Sequence, residues 1–229
     1  MNDLHEIQMQ ILKELVFKPW ARFRDLNTLD LTSDHFTFHL NRLVEAGLVA
    51  KNNQGYSLTP LGKEFAGRID TETVEVQKQA KIGVIACGVR KQKKEEEYLV
   101  HTRLKEPFYS FQGFVTGKVK FGEEILVAAK REFEEETHLN GEPKLFAVCH
   151  YRHFSPDKKL LKDQIFFATK ILNPQGKLLP RHTEGQNQWV AYGNLKSLPK
   201  PFPGVLEIIE DLRSGGFGFR ERKFVVEEF

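Results

Sequence analysis

Glu132, Glu135 and Glu136 stand at i, i+3 and i+4 in the run Arg131-Glu132-Phe133-Glu134-Glu135-Glu136. In a helix that spacing gathers three carboxylates on one face. Carboxylates held so close repel one another, and a divalent cation removes the conflict and puts their charge to use. On a wheel of about 100° per residue with Glu132 at zero, Ile125, Ala129 and Phe133 fall at ~20°, ~60° and ~100°. On the same wheel Glu136 falls at ~40°, inside that apolar arc, Glu135 at ~−60°, on its edge, and Glu134 at ~200°, facing outward. An unpaired carboxylate on the packed side of a helix is costly. Glu132 and Glu136 are therefore expected to meet a metal or basic partners there, and oxygen-only ligands favour Mg²⁺ or Mn²⁺ over zinc. The alternative is a solvated acidic helix face, the ordinary meaning of a charge run.

The surrounding segment 117–139, GKVKFGEEILVAAKREFEEETHL, resembles the Nudix box, the signature of hydrolases that cleave nucleoside diphosphates linked to another group. The family pattern is G, five residues, E, seven residues, R-E, an apolar residue, any residue, E-E, any residue, G, apolar. Gly117, Glu123, Arg131, Glu132, Phe133, Glu135, Glu136 and Leu139 all match it. His138 stands where the family has glycine, at a helix end that calls for a left-handed residue. Histidine tolerates positive φ better than most residues, so a small stability cost is expected there. Thr116 replaces the glycine that often precedes the box.

The resemblance implies that Glu132, Glu135 and Glu136 bind Mg²⁺ or Mn²⁺ and that Arg131 orients a box glutamate through a charge-assisted pair. It makes Glu123 either a second-metal ligand or a helix-start residue. It also carries the loop 117–122 past the pyrophosphate, with Gly117 allowing close approach and Lys118 within reach of a phosphate. Members often draw a base or further ligand from a loop outside the box, and Glu184, in 181–188, is the candidate. Arg103, Phe111, Arg152 and His153 are candidate substrate contacts, Phe111 equally a core residue.

Around these residues the chain reads as two domains, 1–70 and 81–229, joined by a polar linker, 71–80. In the first, Leu4, Ile7, Ile11 and Leu15 keep helical spacing until Pro19, and a short helix is expected over 21–26. Thr32 is placed to cap a third helix, 33–46, with Phe36, Leu40, Leu43 and Val44 as its buried stripe and Gly47 past its end. Strands over 48–51 and 56–58 flank a turn at 52–55, and Thr59-Pro60 starts a last helix. This order resembles a winged helix-turn-helix. Asn41 and Arg42 lie on the outward face of the third helix and could read base edges. Phe38, on the same face, suits a protein contact. Acidic and basic residues nearly balance over 1–70, Asp3 counted among the acidic, whereas DNA readers usually carry a basic footprint. DNA binding and a structural or dimerisation role stand as alternatives.

In the second domain, strands are expected over 81–90, 97–104, 144–154, 163–172 and 188–192, with a charged turn at 91–97, a helix over 203–213 and a further strand in the tail 217–229. A mixed sheet with a helix on each face fits, and resembles the Nudix α/β/α sandwich. The fold class is thus α/β, preceded by the small helical domain.

At 229 residues and 40% hydrophobic content the chain has material for two cores. No run approaches a membrane span, and the first fifteen residues show no signal-peptide pattern. Cys87 and Cys149 sit in apolar runs and read as buried free thiols, pointing to a reducing, cytoplasmic setting. The eight histidines show no metal-ligand spacing, and a net charge of +3 is too small to imply nucleic acid. The expected activity is Mg²⁺-dependent pyrophosphate hydrolysis, a hydrolase acting on phosphoric anhydrides. The rivals are a transcription regulator that senses a nucleotide or ADP-ribose-like metabolite, and a non-catalytic dimerising scaffold. The partners expected are a nucleotide-derived small molecule, DNA or protein at the first domain, and a second copy of the chain, with no membrane.

Overall fold

A computed structural model describes residues 4–93 and 95–229. Asp3 and Lys94, used above in the acid balance and the charged turn, lie outside the described residues. The chain divides into two compact units, Met1–Lys78 and Gln79–Phe229.

In the first unit helix α1 (Glu6–Phe17) is opened by His5, whose Nδ1 accepts from Ile7 N–H at 3.2 Å while Gln8 accepts from His5 N–H at 2.9 Å. Ile11, Leu12 and Leu15 of α1 share one core with Leu26 of the short α2 (Phe23–Leu26) and with α3 (Ser33–Glu45). Thr32 occupies the N-cap position of α3 but makes no side-chain cap bond. The buried face of α3 is Phe36, His39, Leu40 and Leu43, whereas Val44, expected in that stripe, is exposed. The observed set keeps the i, i+3, i+4, i+7 spacing, and Val44 lies one step beyond it. Gly47, at φ +70°, ends the helix in the left-handed conformation that glycine adopts without strain. Strands β1 (Val49–Asn52) and β2 (Gly55–Leu58) then pair antiparallel around a turn in which Asn52 Oδ1 accepts from both Gln54 and Gly55 N–H. Thr59 caps α4 (Pro60–Ala66) through Gly62 N–H at 2.9 Å. The stretch 71–80, expected as linker, carries structure of its own. β3 (Ile69–Asp70) pairs with β4 (Glu75–Val76), and Asp70 Oδ1 accepts from Glu72 and Thr73 N–H across the turn.

The second unit is built on β5 (Lys81–Gln92), β6 (Glu95–Arg103), β7 (Gln112–Gly113), β8 (Val115–Lys118), β9 (Leu139–Asn140), β10 (Pro143–Phe154), β11 (Leu160–Leu172), β12 (Gln175–Gly176), β13 (Gly185–Ala191) and β14 (Gly218–Val225), with α5 (Ile125–Thr137) and α6 (Val205–Ser214). The main sheet runs β13-β6-β5-β11-β10-β14, with β8 beside β5 and β7 beside β6. It is mixed, because β5/β11 and β10/β14 are parallel and the other pairs antiparallel. Alternation along β5 sends Ile85, Cys87 and Val89 into a core with Ile208 and Ile209 of α6, and Val84 and Ala86 toward Ala129 and Phe133 of α5. Cys87 and Cys149 are buried free thiols, and burial pushes the Cys87 thiol well up. Among the described residues no helix is long and apolar enough to cross a membrane.

Candidate active site

The loop that feeds α5 is tied to the helix it precedes. Gly122 turns the chain at φ +80°, and Glu123 Oε2 accepts from Lys120 N–H at 2.9 Å. Glu123 is also gripped by the Arg131 fork, from Nε to Oε1 at 2.7 Å and from Nη2 to Oε2 at 2.9 Å. Those two bonds, then the Lys120 N–H, hold its carboxyl down to about 2. Arg131 spends its remaining donors on Glu132 Oε1 at 2.8 Å, Glu135 Oε2 at 3.3 Å and the Lys118 carbonyl at 3.1 Å. All five N–H donors of the guanidinium are thereby used. One cation fixes β8, the loop and the helix carboxylates Glu132 and Glu135 relative to one another.

Gly117 on β8 completes this arrangement by what it lacks. A Cβ there would occupy the space of the Glu132 carboxylate. Glu132 and Glu136 are each 15% exposed at the side chain and Glu135 is 58% exposed. Glu134, expected outward, is half-buried. The exposed position of the acidic run is thus Glu135.

Glu136 faces away from Arg131 into a corner closed by two imidazoles. His101 Nε2 on β6 lies 3.3 Å from Glu136 Oε2, and His182 Nε2 lies 3.5 Å from the same oxygen. The pairing of β6 with β13 puts Asn187 opposite His101, and Asn187 Oδ1 is 2.9 Å from His101 Nδ1. Burial lowers the His101 pKa, partly offset by Asn187 and Glu136. Glu184, two residues after His182, is ion-paired with Lys105 rather than with a box residue.

On the opposite face of the sheet a cavity of about 580 Å³, counted to its open mouth, is walled by Phe108, Tyr151, Phe166 and Phe202 and carries Arg103 and Lys162. Arg103 is held by the Lys105, Glu106 and Pro107 carbonyls at 2.7–3.2 Å. Burial, then the charge of Arg103, brings the Lys162 amine down to about 8. Thr116 of β8 lines this cavity while its neighbour Gly117 faces Glu132, so the strand separates cavity from carboxylates.

Residues 80–211 match the family described as NUDIX domain. The chain belongs to the NUDIX family. Its fold is similar to the NUDIX domain of Shewanella oneidensis NrtR, solved with ADP ribose, at 15% identity and a TM-score of 0.53 over 69% of this chain and 98% of that one. It is similar also to the MutT protein of Bacillus halodurans, at 20% identity and a TM-score of 0.55 over 65% of this chain and 93% of that one.

The NUDIX helix ends as its sequence requires. Thr137 Oγ1 donates to the Phe133 carbonyl at 2.6 Å and accepts from Leu139 N–H at 3.0 Å, and His138 takes φ +59°, ψ +16°. That left-handed residue is strained for histidine and free for glycine. His138→Gly is expected to raise stability by up to about 1 kcal/mol without loss of site function, read as thermal unfolding of the full chain. A lower melting temperature would mean that the imidazole makes a stabilising contact.

Of the other residues singled out from sequence, Lys118 is exposed at the end of β8, and Phe111 packs against Phe108 and Phe202 without lining the Arg103 cavity. His153 is buried, its pKa lowered to about 4 chiefly by burial, and it lines the same cavity. In the first unit Asn41 and Arg42 are exposed on α3, with Arg42 3.4 Å from Glu45. His101, His182, Asn187 and Lys162 were not legible as site residues. No local spacing links 101, 136, 182 and 187, and the histidines come together only through the β6/β13 pairing.

Proposed function

We propose that the second unit hydrolyses the pyrophosphate of a nucleoside diphosphate linked to another group. The observation that carries this reading is the carboxylate set ordered by Arg131. Glu123, Glu132 and Glu135 surround one guanidinium, three negative charges against one positive, and Glu136 adds a further carboxylate that Arg131 does not reach. Such a surplus of hard oxygen donors at a largely shielded site fits a divalent cation. Glu132, Glu135 and Glu136 would hold Mg²⁺ or Mn²⁺, which when bound neutralises phosphoryl charge and activates water.

The chain's own groups supply the rest. Arg131 keeps Glu132 and Glu135 from drifting apart, and Glu123 anchors Arg131. Gly117 lets the loop approach the carboxylates, and Lys118 contributes a cation for a phosphate. Glu184 is the carboxylate offered from outside the helix to take a proton from water, its position set by Lys105. The aromatic cavity with Arg103 and Lys162 suits the nucleoside end, since flat apolar walls stack a base, and the diphosphate would reach the carboxylates around the end of β8, where Arg103 feels the charge of Glu136. Positioning and charge neutralisation then supply most of the rate.

The test is product release from a panel of nucleoside diphosphate derivatives, with ADP ribose among them, with and without Mg²⁺. Turnover of at least one compound that chelator abolishes is expected. Absence of turnover across the panel with bound ligand detected by calorimetry would instead support a sensor.

The first unit supports the companion reading of a winged helix-turn-helix that couples the site to DNA. The α3 face with Asn41, Arg42 and exposed Phe38 is the observation behind it. Few cations stand near that face, Arg42 and Lys51 chiefly, so DNA binding through 33–56 is expected to be weak and lost with modest salt. Asn41→Ala and Arg42→Ala should each cost about 1–3 kcal/mol on a selected sequence. If fragment selection at low salt enriches no sequence, the unit is a dimerisation or partner-binding module.

A further inference from the structure

We infer that His101, Glu136 and His182 form a binding site for a divalent transition ion of the zinc class. The inference deepens the proposed function, because Glu136 belongs to both donor sets. One donor atom from each of the three residues lies within 4.8 Å of the others. Both imidazole Nε2 atoms approach a single oxygen, Glu136 Oε2, at 3.3 and 3.5 Å. Tetrahedral zinc with bonds of 2.0–2.2 Å separates neighbouring ligand atoms by about 3.3–3.5 Å. Two edges of that tetrahedron are thus already at length.

The placing of protons points the same way. Asn187 Nδ2 donates to the Glu136 carbonyl at 2.7 Å and to the Leu179 carbonyl at 2.9 Å, which turns its Oδ1 toward His101 Nδ1. An amide oxygen only accepts, so Nδ1 carries the proton of a neutral His101 and Nε2 presents a lone pair to the Glu136 carboxylate. The 3.3 Å gap between Nε2 and the carboxylate is filled by a cation, either a metal ion or the second proton of an imidazolium. Asn187 is the kind of supporting partner that fixes the tautomer of a metal-binding histidine. His182 Nε2 is buried without a hydrogen-bond partner among the described residues, and its Nδ1 has a long contact, 3.4 Å, with Glu184 N–H. Coordination through Nε2 puts the His182 proton on Nδ1 and gives up that contact. Gly185 seats the His101 ring, since a Cβ there would collide with it.

Two imidazoles with one carboxylate make a borderline-soft donor set, which suits zinc-class ions and not Mg²⁺. Side-chain exposures of 9%, 15% and 19% for His101, Glu136 and His182 mean that the donors are held in place before any ion arrives. Three protein ligands leave a position for an exchangeable fourth.

The experiment is Zn²⁺ calorimetry on the full chain in excess Mg²⁺, paired with the visible absorption of the Co²⁺-substituted protein. One Zn²⁺ per chain that excess Mg²⁺ does not displace is expected, with tetrahedral Co²⁺ bands. His182→Gln, on a partly exposed loop, and His101→Gln should each weaken zinc by about 10²-fold or more, beyond the loss of a supporting partner. His35→Gln, in the other unit, should change nothing. Equal zinc affinity in the wild type and His182→Gln overturns the site, as does the absence of tetrahedral Co²⁺ bands. Zinc bound through His182 by a protein that hydrolyses nothing upholds the site and refutes the hydrolase reading. Mg²⁺-dependent hydrolysis without His182-dependent zinc does the reverse.

Discussion

Glu135→Gln is expected to lower Mg²⁺-dependent hydrolysis by about 10²-fold or more while leaving thermal unfolding within experimental error. The expectation rests on how little else Glu135 does. Its side chain is 58% exposed, and its one ion pair among the described residues is the 3.3 Å contact with Arg131 Nη1. An exposed pair of that kind contributes at most about 1 kcal/mol to stability. Arg131 keeps its fork on Glu123, its 2.8 Å bond to Glu132 and its grip on the Lys118 carbonyl when Glu135 is neutralised. Glutamine preserves shape and removes one charge. A fall in rate with unaltered folding therefore reads the loss of a charged ligand. Glu132→Gln would be harder to interpret, since it also turns a charge-assisted bond from Arg131 into a weaker neutral one at a shielded position. Full turnover by a folded Glu135→Gln protein would remove Glu135 from the metal set and leave it a surface glutamate.

The box was legible because its order is local. Gly117, Glu123, Arg131 and the glutamates lie within twenty residues, and a single helix with its feeding loop brings them together. The 3.6-residue period placed Glu132 and Glu136 on the shielded side, and left-handed His138 followed from the helix stop. The wheel misplaced Glu134, because it treats the helix as having one apolar side and one open side, whereas loops and strands cover it unevenly. The α3 stripe shows a related error: Val44 is apolar by type but exposed by angle, and His39 takes the buried position through spacing that its polarity disguised.

What sequence could not place is the corner around Glu136. His101 stands in an apolar strand and His182 in a polar loop, and their approach depends on the register Asn187↔His101. A shift of that register by one residue would send Asn187 to the other face. Lys162 is hidden for a similar reason. Its charge reads as solvated surface, yet β11 carries it beneath Phe108, 5.3 Å from the ring centroid, where burial and then the charge of Arg103 depress its pKa. Strand pairing, not residue type, decides both.

Gly117→Ala is expected to disable the site without unfolding the protein. A methyl at Gly117 would take the volume now filled by Cγ, Cδ and Oε2 of Glu132. The obstruction is the mobile end of a side chain, so Glu132 can swing out and the β8 pairing of Gly117 with Val84 can persist. Leaving that place breaks the 2.8 Å bond from Arg131 Nη1 and removes Glu132 from its fixed position beside Glu135. A displacement of about 1 Å in a positioned group costs on the order of 10²-fold in rate, and here the displaced group is itself a proposed ligand. Mn²⁺ binding, followed by electron paramagnetic resonance, should weaken in parallel with activity while the melting temperature stays close to that of the wild type. Retained Mn²⁺ affinity with lost activity would place the methyl's effect on the substrate's approach through the loop. Retained activity and retained Mn²⁺ affinity together would mean that Glu132 works equally well from outside its pocket, and that the guanidinium bridge is structural alone.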